Sequence, residues 1–183
     1  GRVSADLDAL VAHETLEKRR FSGRDGYVEY AFRHALVRDA AYGLLAEEER
    51  LLGHRLAATW LEAKQADPGA VADHYFRGCD DERAIPHCIK AAEQAFLRTD
   101  LDRAVYYSNL GETCGAHDRD LGVLLAIRGP ALRWKHMEQS LNDVSRAALM
   151  LPKGDPWWCR AMSYECAMQT LRGNVARSRE MTR

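Results

Sequence analysis

At Phe32 the apolar residues of this chain stop alternating and begin to recur every three or four positions. Before that point Val28, Tyr30 and Phe32 alternate with Tyr27, Glu29 and Ala31, the period of a half-buried strand. Beyond it Phe32, Leu36, Val37, Ala40, Ala41, Leu44 and Leu45 share one helical face, with Arg33, Arg38 and Asp39 elsewhere. The chain must therefore leave a strand and enter a helix within a few residues. Everything downstream reads as paired helices.

Upstream, Leu7, Leu10, Val11 and Leu16 predict a short amphipathic helix over residues 6–16, and residues 18–22 suit a strand. Gly23, Arg24, Asp25 and Gly26 then supply turn chemistry. A short helix followed by a hairpin is the back half of a winged-helix unit without its front half. The expected organisation is a winged-helix remnant and first linker helix over 1–46, a helical linker over 47–80, and about three helical repeats over 81–183.

In the linker, Glu47, Glu48 and Glu49 suit the first turn of a helix, where carboxylates complement the helix dipole. That helix is predicted to reach about Lys64 with Leu52, Leu56, Trp60 and Leu61 inward, before Pro68 and Gly69 break the pattern. A third helix is predicted over 70–77. Ile85, Cys88, Ile89, Ala92, Ala95 and Phe96 then begin a helical pair that returns through Leu101, Ala104, Val105, Ser108 and Leu110. Pro86 predicts a late start or a kink.

Two further pairs follow, over 121–136 with 141–150, and over 157–171 with a partial helix after Gly173 and Asn174. Residues 129 and 130, Gly then Pro, predict an interruption in the first of these. Return helices starting near Leu101, Ser140 and Val175 lie about 35 to 39 residues apart, close to the period of a helix–turn–helix repeat. The predicted fold class is thus mainly α: an α-solenoid of tetratricopeptide-like helix pairs, preceded by a helical linker and a winged-helix remnant with a β-hairpin. Ala92, Ala95 and Ala104 suit close helix approach, whereas Ser140 stands where a strict pattern has Ala.

Composition excludes several classes. The 183 residues carry 26 Lys and Arg against 27 Asp and Glu, so no global field favours nucleic acid or anionic lipid. No apolar stretch approaches the length of a membrane span, and no signal peptide opens the chain, which begins at Gly1 and reads as a piece of something longer. The five cysteines lack disulfide-framework spacing and suit reduced thiols in a cytoplasmic protein.

Tyr30, Phe32, Arg33, His34, Ala35, Leu36, Val37, Ala40 and Tyr42, with Leu44 and Leu45 after them, form a specific phrase. It resembles the end of the winged helix in bacterial STAND-type signalling ATPases. In that family the phrase is followed by a helical linker and tetratricopeptide-like repeats. Val71 to His74, and Ala91, Ala92 and Ala95, resemble its linker-to-repeat transition. The resemblance implies an ATP-driven switch, linked in some members to a serine/threonine kinase or a transcription-factor module, whose repeats sense a partner. No Lys follows a Gly here, so the phosphate loop and its nucleotide lie outside these residues and no cofactor is expected within them. The expected partners are a protein or peptide in the repeat groove and the upstream ATPase core. Self-association through the uncovered last helix is also expected.

Candidate residues follow. The resemblance places Arg33 and His34 where a winged helix can contact nucleotide in the full-length parent; the alternative, which is favoured, is that His34 caps or packs the wing-to-helix junction. Tyr106, Tyr107, Trp134, Trp157 and Trp158 are candidates for partner contact or for wedging between helices, with one of the two adjacent tryptophans expected to be exposed. Lys18, Arg19, Arg20 and Arg24 give the hairpin a basic stripe, but Glu14, Glu17, Asp25 and Glu29 offset it, so DNA binding is the lesser reading. His74, Cys79, His87 and Cys88 lack zinc-ligand spacing, and no nucleophile motif occurs, so no metal and no catalysis are expected.

Overall fold

The computed structural model describes residues 2–20 and 28–174, and among them the chain is mainly helical with one small antiparallel hairpin. Two compact units are present, residues 1–50 and 51–183.

In the first unit, α1 (Arg2–Ala12) ends where Glu14 takes a left-handed backbone conformation and the Thr15 N–H bonds back to Leu10. The helix therefore starts and stops earlier than its apolar spacing suggests. Leu16 belongs to strand β1 (Leu16–Arg20) instead, paired with Phe32 of β2 (Val28–Phe32). The predicted turn at Gly23 to Gly26 lies outside the described residues. Strand β2 buries no face: Val28 and Phe32 are exposed, and Tyr30 and Ala31 are half-buried. Helix α2 (Ala35–Leu44) begins three residues after Phe32, and none of its residues is buried. Its apolar stripe is real, but a two-stranded hairpin carries too little surface to cover it. At the start of α3 (Glu47–Ala63), Glu49 accepts the Ala46 N–H at 2.9 Å, half of a capping box.

In the second unit the rest of α3, the expected linker, joins the core. Its buried position is Ala58, flanked by half-buried Leu51, His54, Arg55 and Leu61. Leu52, Leu56 and Trp60, predicted inward, are exposed. The helix carries apolar residues on two faces, and its neighbours use the one through Ala58. Next comes α4 (Pro68–Arg77), with Asp67 as N-cap accepting the Ala70 N–H and Pro68 in its first turn.

Helices α5 (Asp81–Leu97), α6 (Leu101–Thr113), α7 (Asp118–Leu132), α8 (Met137–Met150) and α9 (Pro156–Leu171) complete the unit. Each of α4 to α8 packs on its successor, and α5 also meets α7, as α7 meets α9. Helix α5 begins at Asp81 despite Pro86, and α7 runs through Gly129 and Pro130 but stops at Leu132, short of the expected His136. Pro130 sits in the last turn, where its missing N–H removes a single backbone bond. The partial helix expected after Asn174 lies outside the described residues.

Helix α7 is the centre. Every residue from Leu121 to Gly129 is buried, including Arg128. The Arg128 guanidinium donates to both carboxylate oxygens of Asp143 on α8, at 2.7 and 3.1 Å. It also reaches Asn109 at 2.7 Å and Glu112 at 2.5 Å on α6. Burial opposes the charge, but the hydrogen bonds Arg128 donates to Asp143 and Glu112 outweigh it and raise its pKa.

Buried Ser140 on α8 donates to the Gly129 carbonyl at 2.6 Å and lies 3.0 Å from the Tyr164 hydroxyl on α9. At Gly129 a Cβ would come within 2.4 Å of Val144 Cγ2 and 3.0 Å of the Ser140 carbonyl. Ala would ordinarily favour a helix interior by ~1 kcal/mol. Here Gly129→Ala is expected to destabilise by about 1–3 kcal/mol through overpacking, read as a lower denaturation midpoint. Arg128→Met leaves Asp143 charged and buried and is expected to cost about 3–5 kcal/mol, much of it recovered by adding Asp143→Leu.

Candidate functional site

A cleft of ≈ 530 Å³ lies where the end of α3 and the following turn meet α4 and α5. The turn is fixed by Gln65, whose backbone is left-handed, and by the Asp67 cap. Helix α5 contributes His87, Lys90 and Gln94, and its C-cap residue Arg98 continues the row, at spacings of three, four and four residues along a single face.

Glu62 forms the rear wall. Its carboxylate accepts from the Tyr75 hydroxyl at 2.6 Å, from Arg83 at 2.8 Å and from the His87 Nε2–H at 3.0 Å. The Tyr75 and His87 rings stack 5.7 Å apart, and the Arg83 guanidinium lies 4.4 Å from the Tyr75 centroid. Hydrogen bonds from Tyr75, then His87, then Arg83 hold Glu62 down to about 2. Burial, with the Glu62 bond, pushes Tyr75 up. Glu62 is thus a saturated anion at neutral pH, with neither a proton to give nor basicity to take one.

Asp67, on the opposite rim, is likewise engaged by the Ala70 N–H and by Arg103 at 3.3 Å. Lys90 and Arg98 have no side-chain hydrogen bond or ion pair among the described residues. The cleft therefore presents two unneutralised cations and two amides against two neutralised carboxylates. That arrangement suits an anionic ligand.

On the other side of α4, the Nδ1 atoms of His54 and His74 lie 3.0 Å apart, and burial first, then neighbouring positive charge, lowers both pKa values. The buried thiols are unreactive: burial pushes Cys88 well above its ordinary value and Cys114 up to about 11.

The sequence-predicted residues lie elsewhere and apart. His34 occupies the N-cap position of α2, yet its exposed side chain makes no capping bond. Arg33 pairs with Glu14 at 3.3 Å. Tyr107 is 4 % exposed, wedged against Gly69, which withdraws it from any outer surface. Its neighbour Tyr106 is half exposed and donates to Asp73 at 3.0 Å. Trp134, 76 % exposed, edges a separate hollow of ≈ 330 Å³ with Leu101, Asp102 and Lys135.

Trp157 and Trp158 are both half-buried and packed on the core, so neither is the exposed member expected of the pair. Arg160 lies 5.5 Å from the Phe96 ring and 5.0 Å from that of Trp157, so α9 reaches across to α5 beside the enclosed α7. In the hairpin, Lys18 pairs with Asp8 at 3.6 Å and Arg19 with Glu17. Among the described residues no three His, Cys, Asp or Glu side chains converge on a metal position. No described helix is long and apolar enough to cross a membrane.

The row Lys90, Gln94 and Arg98 escaped sequence reasoning, although its i, i+4, i+8 spacing was visible opposite the apolar face of α5. The Glu62 network had no local signal, because its members are 13 to 25 residues apart.

A scan against protein-family models found no match, and searches of curated proteins and of solved structures found none.

A lowered carboxylate pKa stabilises the fold above the unfolded value of 4.5, and that stability is lost as pH falls toward 2. Glu62→Gln is therefore expected to cost about 1 kcal/mol near pH 7, a figure reduced for the partial exposure of the side chain. Chemical denaturation across pH should show the difference from the parent protein narrowing between 4.5 and 2.

Proposed function

We propose that this chain is a non-catalytic regulatory and protein-interaction module, a stack of tetratricopeptide-like helix pairs that binds a partner segment and relays its presence to an upstream signalling ATPase. The observation that carries the reading is the regular succession of α5, α7 and α9. These helices begin 37 and 38 residues apart, each followed or preceded by a packed partner, with α5 on α7 and α7 on α9. That is the spacing and contact order of a repeat array, and it supports the solenoid reading of the second unit.

The chemistry of the cleft supports binding over turnover. Its one well-connected carboxylate is saturated by three donors, while its free groups are cations and amides suited to holding a ligand. The link to a STAND-type parent rests on the phrase from Tyr30 to Tyr42, and a cytoplasmic setting rests on five cysteines without disulfide-framework spacing. The paired cations of the hairpin give DNA binding no support. Self-association through the last helix is part of the proposal, since Leu171 is 79 % exposed.

A library of ten-residue peptides of varied charge and hydropathy, titrated against the whole chain alongside assays of ATP and ester hydrolysis, tests the reading. Saturable binding of at least one peptide class without turnover is the expected result. Turnover, with no peptide bound at millimolar concentration, would overturn it.

A further inference from the structure

We propose that the Lys90, Gln94 and Arg98 face of α5 binds an acidic protein segment in extended conformation, with two carboxylate side chains four residues apart seated on Lys90 and Arg98. This rests on the interaction-module reading and specifies the partner's chemistry.

Charge decides first. Four ionised side chains line the cleft beside His87, and two of them are already answered within the protein: Glu62 by Tyr75, Arg83 and His87, and Asp67 by Ala70 and Arg103. Lys90 and Arg98 remain, facing a concavity of ≈ 530 Å³ and free of ion pairs among the described residues. An anionic ligand completes the set.

Spacing decides next. Helix positions i, i+4 and i+8 advance in steps of about 6 Å, placing the Lys90 and Arg98 backbones about 12 Å apart. An extended segment advances about 6.7 Å for each pair of residues on one side, or about 13 Å over four residues. The two ladders match to about 1 Å, well within the reach of Lys and Arg side chains. Gln94, midway, meets the intervening same-side residue with both a donor and an acceptor.

The lining also favours a polypeptide over a nucleic acid. Ala66, Pro68 and Val71 give the cleft apolar patches, and its lining residues include no Phe, Tyr or Trp. Single-stranded nucleic acids rely on exposed aromatic platforms for stacking.

Fluorescence anisotropy on the whole chain tests this. The probes are labelled Ser-rich peptides carrying two Glu at a separation of four residues, two Glu at a separation of two, or Gln in place of both. At low salt the four-residue spacing is expected to bind most tightly, with the Gln peptide weakest. Lys90→Glu and Arg98→Glu, both solvent-facing, should each weaken binding about three- to five-fold, and the double variant by more than about ten-fold, with the helical circular dichroism unchanged. A peptide with Lys at the two positions should bind the double variant better than the parent protein.

Equal affinity of the Glu and Gln peptides, or of the parent and the double variant, overturns the proposal. So does an oligothymidylate that binds more tightly than any peptide through the same two residues. Binding of a different peptide class that ignores Lys90 and Arg98 overturns this inference while leaving the interaction module standing. Failure of every peptide, with turnover observed, removes both.

Discussion

One buried guanidinium ties together the centre of this protein. Arg128 lies inside α7, a helix otherwise lined by Leu121, Leu124, Leu125 and Ile127, and its charge is tolerable only because Asp143 on α8 and Asn109 and Glu112 on α6 surround it. A buried ion pair adds less net stability than its geometry suggests, since both charges have left water. What it does impose is register. Sliding α6 or α8 by one turn along α7 would strand a carboxylate or the guanidinium without a partner, at a cost far above that of a shifted apolar contact. The Ser140 bridge to Gly129 and Tyr164 repeats the logic at the next residue of α7, about one turn of α8 before Asp143, where the absence of a Cβ lets α8 approach.

The enclosure of α7 has a consequence for recognition. Residues Leu121 to Gly129 of α7 are buried, and α9 reaches α5 through Arg160 and Phe96. Tyr107, Trp157 and Trp158, candidates for partner contact, are spent on packing. Polar functionality free of internal partners is displaced to the outer face of α5, where Glu62 and its three donors make a rigid wall beside Lys90 and Arg98. A wall held by four groups from α3, α4 and α5 keeps the cleft's shape in the absence of ligand, which lowers the ordering cost of binding.

Most of the helical inventory could be read in advance. Asp67 with Pro68, the acidic first turns of α3 and α5, and the left-handed Thr99 ahead of Asp100 are short-range signals, and the breaks fall at or near them. The misreadings have separate causes. Glu14 takes a left-handed conformation without being glycine, which ends α1 before Leu16. Pro86 and Pro130 sit within helices whose remaining contacts outweigh a lost backbone bond. On α3, apolar residues on two faces left the inward one ambiguous. The candidate site was less legible than the fold, because the Glu62 network joins residues far apart in the chain.

The sequence by itself determined which segments are helical, the near-regular spacing of the later ones, and the strand-to-helix change just after Phe32. Those are local properties, set by side-chain period and by the backbone limits of Pro, Gly and capping residues. Only the tertiary structure decided that Leu52, Leu56 and Trp60 face outward, that Tyr107 lies inside while Trp134 lies outside, and that an arginine in an apolar run is the hub of three helices. Burial depends on which neighbour arrives and at what distance. Whether a charged side chain is a lock or a binding group depends on whether another element has already supplied its partner.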